Sequence, residues 1–318
     1  MENNITIQDR ARGMLAGLAI GDALGAPIQF MPSGRIIGMI HQIRKMQDRN
    51  GFPKGYWTDD TSMALCLADS LLECGGYDSY DVMGKYSAWK DKGYRSCVGA
   101  GFGIGTQTML AINSYEENPE LTDDQKTESA GNGAIMRLAP VIIATHNKPN
   151  LKLASVSARD THYSVEAEAV AEMFASILYA ALQGKDKEGI FKALDADFSN
   201  PEYEKVREKI KPALSRVDDH WGDSLKDLDA YCVDSLTIAL WGLKQYEKPL
   251  YGMLGVISLG GDTDTNAAIY GQLAGAYYGY EAFPEEWRED VFNGEEIVKI
   301  ADKLFSMKEC PILRTRFK

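Results

Sequence analysis

The chain has 318 residues and carries 34 Lys plus Arg against 46 Asp plus Glu, which gives a formal net charge of −12. So acidic a protein repels phosphate backbones, which argues against nucleic acid as its partner. Its 45% hydrophobic and 25% charged residues exclude wholesale disorder.

The sequence also argues against membrane insertion and secretion. No apolar run approaches the roughly 18 residues that a membrane-spanning helix needs, and the N-terminus, MENNITIQDRARG, has no apolar signal core. The five scattered cysteines form no CxxC pair, so they indicate neither a disulfide framework nor a zinc site. We therefore expect a cytoplasmic protein with reduced thiols and no membrane attachment.

Apolar residues recur with a period close to 3.6 along almost the whole chain, which predicts helices rather than strands. The first predicted helix covers residues 14–20, and we expect the glycines and proline of GDALGAP (21–27) to end it. Six further helices are predicted: from Asp60 to the glycines at 75 and 76, and over 78–93, 164–184, 230–244, 263–278 and 295–306.

Glycine-rich segments lie between these helices: GAGFGIG (99–105), SAGNGA (129–134) and SLGGDTDT (258–265). There is no run of βαβ units and no internal repeat, and the most polar stretch, 196–229, is expected to be a surface excursion. We therefore predict an all-α protein with ten or more helices in a single compact domain over residues 1–318. The glycine segments would be loops at helix ends, where functional groups tend to collect.

Two acidic segments, WTDDTS (57–62) and GGDTDT (260–265), each come directly before a predicted helix. One acidic residue in each place is explained by helix capping, but each segment has two, and neighbouring like charges cost energy unless a cation offsets them. Mg²⁺ and Mn²⁺ prefer carboxylate and hydroxyl oxygens. The segments together predict a centre for two divalent cations, with the ligand set Thr58, Asp59, Asp60, Asp262, Asp264 and Thr265.

Three other features leave a structural and a functional interpretation open. Asp22 in GDALG is either a helix cap or part of a site, and His162 beside a helix start is either a buried structural residue or a functional one. SAGNGAIMR (129–137) is a glycine-rich loop that we expect to open a helix near Ala134. Its backbone N–H groups would then suit a phosphate or pyrophosphate, although the loop lacks the preceding strand of a dinucleotide-binding fold.

Five motifs occur in the order and rough spacing of the ADP-ribosylglycohydrolase family: GLAIGDALGAP, WTDDTSMAL, SAGNGAIMR, DTH and SLGGDTDTNAAIYGQLAGA. The chain resembles this family over approximately residues 8–305. The resemblance implies an orthogonal all-α domain with a binuclear Mg²⁺ or Mn²⁺ cleft. It also implies cleavage of the N- or O-glycosidic bond between ADP-ribose and a protein side chain or small acceptor, with ADP-ribose as product.

The resemblance assigns roles to particular residues. Thr58, Asp59 and Asp60 would hold one cation, Asp262 and Thr265 the other, and Asp264 would contact both. The phosphates and distal ribose of ADP-ribose would lie against the glycine-rich loop, that is, Ser129, Gly131, Asn132, Gly133 and Ala134, with His162 nearby. The catalytic positions would be Asp59, Asp60, Asp262 and Gln29.

Two positions depart from the family pattern. Many members have Glu where this chain has Gln29, and others have the Asp of a DIG motif where this chain has Gly103. Glutamine cannot take up a proton at neutral pH or act as an anionic ligand. Either Asp60, Asp262 or a metal-bound hydroxide serves as the base, or the protein is an impaired member that binds ADP-ribose or has a structural role. The intact acidic segments favour the enzyme.

Overall fold

The computed structural model describes residues 5–48, 51–120 and 129–317. In these ranges it contains sixteen α-helices and one short two-stranded sheet. The helices are α1 Ile7–Gly25, α2 Ser33–Ile37, α3 Ile40–Ile43, α4 Asp59–Cys74, α5 Ser79–Lys92, α6 Thr106–Glu117, α7 Ala139–Ala144, α8 Leu151–Arg159, α9 Val165–Leu182, α10 Lys187–Lys192, α11 Tyr203–Leu214, α12 Cys232–Gln245, α13 Pro249–Ser258, α14 Thr263–Tyr278, α15 Glu285–Asp290 and α16 Gly294–Phe305. The strands are β1 Tyr77–Asp78 and β2 Ile312–Arg314. The prediction of an all-α fold is confirmed.

The six helices predicted after the first correspond to α4, α5, α9, α12, α14 and α16, with ends within two residues of those predicted. Local signals mark these ends. At the start of α5 the Asp78 carboxylate accepts the backbone N–H of Tyr80 at 3.0 Å. Gly75 and Gly93, with φ of 69° and 66°, end α4 and α5 in the left-handed conformation that glycine adopts without a steric penalty.

The predicted end of the first helix is wrong. Instead of stopping before GDALGAP, α1 continues to Gly25, and GDALG is its last turn. The reason is tertiary, because the glycines of α1 lie directly against the backbone of α14. A Cβ atom on Gly17 would lie 2.3 Å from the Gly271 carbonyl oxygen, and one on Gly21 would lie 2.1 Å from that of Ala267. These glycines therefore allow two helix backbones to touch rather than ending a helix.

Helix α14 lies at the centre of the core. All of its residues from Thr263 to Ala276 are buried, and it packs against α1, α9, α12 and α13. The contact with α1 is the most extensive between any two described elements. Because the N-terminus of α14 carries the GGDTDT segment, this packing brings that segment to the C-terminal half of α1.

The polar stretch 196–229 contains a helix that was not predicted. In α11 the side chains of Tyr203, Val206 and Ile210 are buried, at spacings of three and four residues, and most of the others are charged. So narrow an apolar stripe is easily missed among the charged residues. The stretch does lie at the surface, as expected, but part of it is regular structure.

The C-terminal segment pairs with the loop between α4 and α5. Strands β1 and β2 are parallel, with Tyr77 opposite Ile312, and Arg314 forms an ion pair of 2.6 Å with Asp78. The buried core accordingly extends from Ala11 to Phe317. Among the described helices, none combines the length and apolar character that a bilayer-spanning segment requires.

Candidate metal and substrate site

The N-termini of α4 and α14 meet beside the C-terminal half of α1, and five aspartates come together there. Asp22 comes from α1, Asp59 and Asp60 from the start of α4, and Asp262 and Asp264 from the start of α14. All five are buried, with at most 8% of their surface exposed. Oxygens of Asp22, Asp60 and Asp264 lie within 4.8 Å of one another. The structure thus brings both predicted acidic segments together and adds a carboxylate not included in the predicted ligand set.

Asp22 holds the first turn of α4. Its Oδ1 accepts hydrogen bonds from the Thr58 N–H (2.9 Å) and Oγ1 (2.8 Å), and its Oδ2 accepts from the Thr61 N–H (3.0 Å) and Oγ1 (2.7 Å). Thr58 does occupy the N-cap position, but its side chain makes no capping bond. The cap of α4 is therefore supplied by a side chain from another helix. With about four acceptor positions per carboxylate, Asp22 has little capacity left for a metal ion.

Asp60 has a buried carboxylate oxygen with unused acceptor capacity. It is fully buried, yet its Oδ1 has no hydrogen-bond partner in the described part of the chain. Its Oδ2 lies 3.1 Å from Thr58 Oγ1 and 3.4 Å from Thr265 Oγ1. An orphaned, buried carboxylate oxygen is costly unless a cation or a proton satisfies it. The surrounding donors are carboxylate and hydroxyl oxygens, which fit a hard divalent cation such as Mg²⁺ or Mn²⁺.

Burial and mutual repulsion disfavour ionisation in this cluster. Burial, followed by the charges of Asp22, Asp59 and Asp264, raises the pKa of Asp60 well above its ordinary value. Burial likewise raises the pKa of Asp59 and Asp264, with Asp22 and Asp262 adding to it. Burial raises the pKa of Asp22 to about 6 against the opposing effect of its four hydrogen bonds. Positive charge bound among these residues would favour their ionised forms.

Asp262 connects the cluster to the glycine-rich loop and to position 29. Its Oδ1 accepts a hydrogen bond from Gln29 Nε2 at 3.0 Å, and its Oδ2 accepts one from Asn132 Nδ2 at 2.7 Å. Asn132 Nδ2 also lies 3.1 Å from Ser235 Oγ on α12. The structure therefore places Gln29 at the cluster, where its amide neutralises none of the charge of Asp262 but orients the carboxylate.

The cavity at this cluster measures about 430 Å³, which lies within the roughly 300–1,000 Å³ that is typical of small-molecule sites. Nine of the predicted site residues line it: Gln29, Asp59, Ser129, Gly131, Asn132, Gly133, His162, Asp262 and Thr265. Four others are buried outside its wall: Thr58, Asp60, Asp264 and Ala134. The wall also includes Phe30, which the motifs did not indicate. Its side chain is 63% exposed, and its φ of 58° is rare for a bulky residue.

The expected α-helix near Ala134 is absent from this described loop. Asn132–Ala134 forms a single 3₁₀ turn, and the next α-helix begins at Ala139. Pairing of the loop with the segment before α12 shapes it, because Asn132 N–H donates to the Ala230 carbonyl and Cys232 N–H to that of Ala130. The dipole of an α-helix is thus not available to an anion here. The N–H groups of Gly131 and Gly133 take no part in the turn or the bridge.

His162 forms the back of this loop. It is 3% exposed, and Cβ atoms on Gly131 and Gly133 would lie 2.9 Å from its Nε2 and 2.8 Å from its Cε1. The two glycines therefore leave the space that the imidazole ring occupies. Burial and the neighbouring Arg137 lower the pKa of His162 to about 3, so the ring is neutral.

The second departure from the family pattern also lies at the cluster. Gly103 lines the cavity with a φ of 79°, and a Cβ atom on it would lie 2.6 Å from Asp59 Oδ1. Any side chain here would require Asp59 to move, and an aspartate would add a further negative charge beside it. The structure therefore places Gly103 next to the carboxylate of Asp59.

Comparison with known proteins identifies similar chains. A family model described as ADP-ribosylglycohydrolase matches residues 3–311. The ADP-ribosylarginine hydrolase Tri1 of Pseudomonas putida strain GB-1 is 34% identical over 304 residues, covering 93% of this chain and 78% of that protein. The protein of the same name in Serratia proteamaculans strain 568 is 31% identical over 312 residues, covering 94% and 80%. A solved chain described as ADP-ribosylglycohydrolase-related protein complex matches with a TM-score of 0.76 and 36% identity, covering 95% and 98%.

Proposed function

Because the chain belongs to the ADP-ribosylglycohydrolase family, we propose that it is a metal-dependent hydrolase that removes ADP-ribose from arginine side chains. The relatives reported above are hydrolases of ADP-ribose conjugates, so the general reaction is cleavage of a glycosidic bond. The observation that carries the proposal is the orphaned Asp60 Oδ1 in a buried cluster of carboxylates, directly behind a cavity lined by the glycine-rich loop.

The donor set fits two divalent cations, Mg²⁺ or Mn²⁺. We assign them the predicted ligands, which are Thr58, Asp59, Asp60, Asp262, Asp264 and Thr265. When bound, such ions supply Lewis-acid activation and orientation of oxygen ligands. Asp22 is assigned a positioning role, since its four hydrogen bonds hold the turn that carries Asp59 and Asp60.

We place ADP-ribose in the 430 Å³ cavity between the acidic cluster and the glycine-rich loop. The N–H groups of Gly131 and Gly133 and the Nε2 atom of His162 would meet the pyrophosphate, since these three residues line the cavity and the two N–H groups take no part in the turn or the bridge. The distal ribose would lie near Asp262 and Thr265. The carboxylates that line the cavity, Asp59 and Asp262, are the candidates to take a proton from the attacking water, because the amide of Gln29 cannot.

Arginine is the acceptor that the site favours. Two relatives that match over more than nine-tenths of this chain are named ADP-ribosylarginine hydrolases, which supports arginine as the acceptor. Phe30 stands exposed at the cavity, held in its left-handed conformation by a 2.8 Å hydrogen bond from its N–H to the Gly261 carbonyl. A phenyl ring presented in this way can stack on a planar guanidinium.

The experiment is release of ADP-ribose from peptides modified on arginine or on serine, with Mg²⁺, with Mn²⁺ and with a chelator. We expect metal-dependent release from the arginine peptide, its loss in Asp60→Asn, and its retention in the control Asp91→Asn, which alters a carboxylate outside the cluster. Phe30→Ala should lower kcat/KM for the arginine peptide more than it weakens binding of free ADP-ribose. Equal release from both peptides would contradict arginine as the preferred acceptor.

Gln29 and Gly103 favour a second candidate function, an impaired member that binds ADP-ribose without hydrolysing its conjugates. Both residues lie at the cluster, next to Asp262 and Asp59 respectively. Binding of ADP-ribose by calorimetry, together with no release from either peptide at saturating metal, would establish this function instead.

The five unpaired thiols also support the cytoplasmic location that the sequence suggests.

A further inference from the structure

Arg137 is a buried cation next to the glycine-rich loop. It is fully buried, and its guanidinium lies 5.2 Å from the ring centre of Tyr86. Its recorded hydrogen bonds all go to neutral oxygens: Nη1 donates to the Gly133 carbonyl at 2.5 Å, and Nη2 donates to Thr161 Oγ1 at 2.5 Å and to the Ser157 carbonyl at 3.3 Å. Burying a charged side chain costs free energy. Here the guanidinium is hydrogen-bonded both to the glycine-rich loop and to Thr161, the residue before His162.

The directions of the hydrogen bonds from Arg137 through Thr161 to His162 follow from which groups can donate and which can accept. A guanidinium can only donate, so Thr161 Oγ1 accepts from Arg137 and keeps its own hydrogen free. That hydroxyl lies 2.8 Å from His162 Nδ1, and Thr161 is fully buried. A hydroxyl oxygen can accept two hydrogen bonds, but if Nδ1 also donated to it, the buried hydrogen of Thr161 would lack an acceptor, because Oγ1 has no third partner among the described residues. Thr161 therefore donates to Nδ1, and a neutral imidazole whose Nδ1 accepts carries its proton on Nε2.

We propose that Arg137 and Thr161 are positioning residues that hold His162 in the Nε2–H tautomer, so that it presents a hydrogen-bond donor to an anionic oxygen of the substrate between Gly131 and Gly133. Nε2 makes no hydrogen bond with any residue that the structure describes, and its ring lines the cavity. The proposal rests on the proposed function for the chemical class of the ligand, a pyrophosphate ester. The tautomer itself follows from the protein alone.

This arrangement makes His162 a permanent donor. The opposite tautomer would turn a lone pair toward the phosphate oxygens, which would repel it. Because burial and Arg137 keep the ring neutral down to about pH 3, its donor character does not depend on pH in the physiological range. Arg137 also fixes the loop through the Gly133 carbonyl, so that the loop and the imidazole keep their relative position.

The test is ¹⁵N NMR of protein with labelled histidines, with Mg²⁺ and without ligand, together with calorimetric binding of ADP-ribose. The chain has only four histidines, so the signals can be assigned by substitution. We expect the Nε2–H signature for His162 from pH 5 to 8. Thr161→Val should lose that preference and weaken ADP-ribose binding by about 10-fold, the value of one hydrogen bond to a charged group. Thr161→Ser should restore both, and the buried control Thr237→Val should change neither.

An Nδ1–H signature in the unaltered protein would overturn the proposal, whatever the variants do. So would an unchanged signature in Thr161→Val, or a failure of Thr161→Ser to restore it, since the effect would then come from packing. The tautomer is read without ligand, which separates this proposal from the proposed function. A protein with the Nε2–H signature that binds no ADP-ribose would contradict the ligand assignment alone.

Discussion

The amide of Gln29 sets the charge balance at one end of the acidic cluster. Its Nε2 donates to Asp262 Oδ1 at 3.0 Å, so it orients this carboxylate without adding a negative charge. A glutamate in its place would repel Asp262 unless a cation or a proton lay between them. Position 29 therefore determines whether the cavity contains one more proton acceptor.

We expect Gln29→Glu to raise turnover at saturating Mg²⁺ or Mn²⁺, because a general base contributes typically about 10²- to 10⁴-fold. The measurement is the rate of ADP-ribose release from an arginine-modified peptide. Gln29→Ala is the control, since it removes the amide without adding a base and should give no increase. Equal turnover by Gln29→Glu and the unaltered protein would show that position 29 does not limit the reaction.

Asp160 is a buried carboxylate outside the cluster, and it makes the stability of the fold depend on pH. Burial raises its pKa from 3.8 to about 6, although Tyr77 Oη donates to its Oδ2 at 2.5 Å. Its Oδ1 has no partner in the described ranges. The native state therefore holds this proton more tightly than the unfolded state does. The associated stability is complete below pH 3.8 and is lost as the pH rises through about 6.

We expect the free energy of unfolding of the unaltered protein to fall relative to Asp160→Asn between pH 4 and pH 7. A shift of about two pKa units corresponds to about 3 kcal/mol. Asparagine keeps an acceptor for Tyr77 but does not titrate, so the difference between the two proteins isolates this group. The measurement is urea unfolding at several pH values. A constant difference across this range would mean that Asp160 ionises in the native state as it does in the unfolded state.

At the scale of elements, the contact between α1 and α14 positions the site. The glycines of α1 face the backbone of α14, and a Cβ atom on Gly25 would lie 2.5 Å from the Asp264 Cα atom. This close approach brings Asp22 on α1 within reach of Asp264 on α14. The separation of the two helix axes therefore sets the separation of the two carboxylates.

We expect Gly21→Ala to destabilise the fold by about 1–3 kcal/mol or more, because overpacking forces a backbone to shift. Its Cβ atom would lie 2.1 Å from the carbonyl oxygen of Ala267. Gly34→Ala is the matched control: Gly34 lies in α2, and a Cβ atom there would have nothing within 4 Å. The control should be neutral or slightly stabilising. Similar unfolding energies for the two variants would contradict backbone contact between α1 and α14.

At the scale of the whole molecule, the core connects distant parts of the chain to the site. The buried cluster of apolar residues extends from Ala11 to Phe317, and the C-terminal strand pairs beside the end of α4. We therefore expect residues 1–318 to unfold as one domain, with a single transition in calorimetry and in circular dichroism. Two separate transitions would contradict this.

Divalent cations should stabilise the native state of the whole chain, because the five aspartates come together only on folding. Binding to the native state alone contributes about 2.7 kcal/mol at a free concentration 100 times the dissociation constant. We expect Mg²⁺ or Mn²⁺ to raise the melting temperature, a chelator to reverse the rise, and Asp60→Asn to reduce it. The control Asp91→Asn should respond as the unaltered protein does. An equal rise in Asp60→Asn would place the binding elsewhere.

Local sequence patterns were enough to predict the helical class, six helices to within two residues of their ends, and the two acidic segments. It could do so because caps, glycine stops and the 3.6-residue period are local signals. It also identified nine of the residues that line the cavity, since their motifs are contiguous.

The remaining features could not be predicted from local patterns, because they depend on contacts between residues that are far apart in the chain. Thr58 appears locally as a helix cap, but the capping carboxylate is Asp22, 36 residues earlier. From the sequence, GDALG was predicted to end a helix, but its glycines instead allow α1 to pack against α14. SAGNGA was predicted to begin a helix, but it pairs with residues 230–232. No sequence pattern indicates that Arg137 and Thr161 are connected to His162 by hydrogen bonds. In each case a backbone or side-chain group is satisfied by a distant partner, which local sequence patterns do not encode.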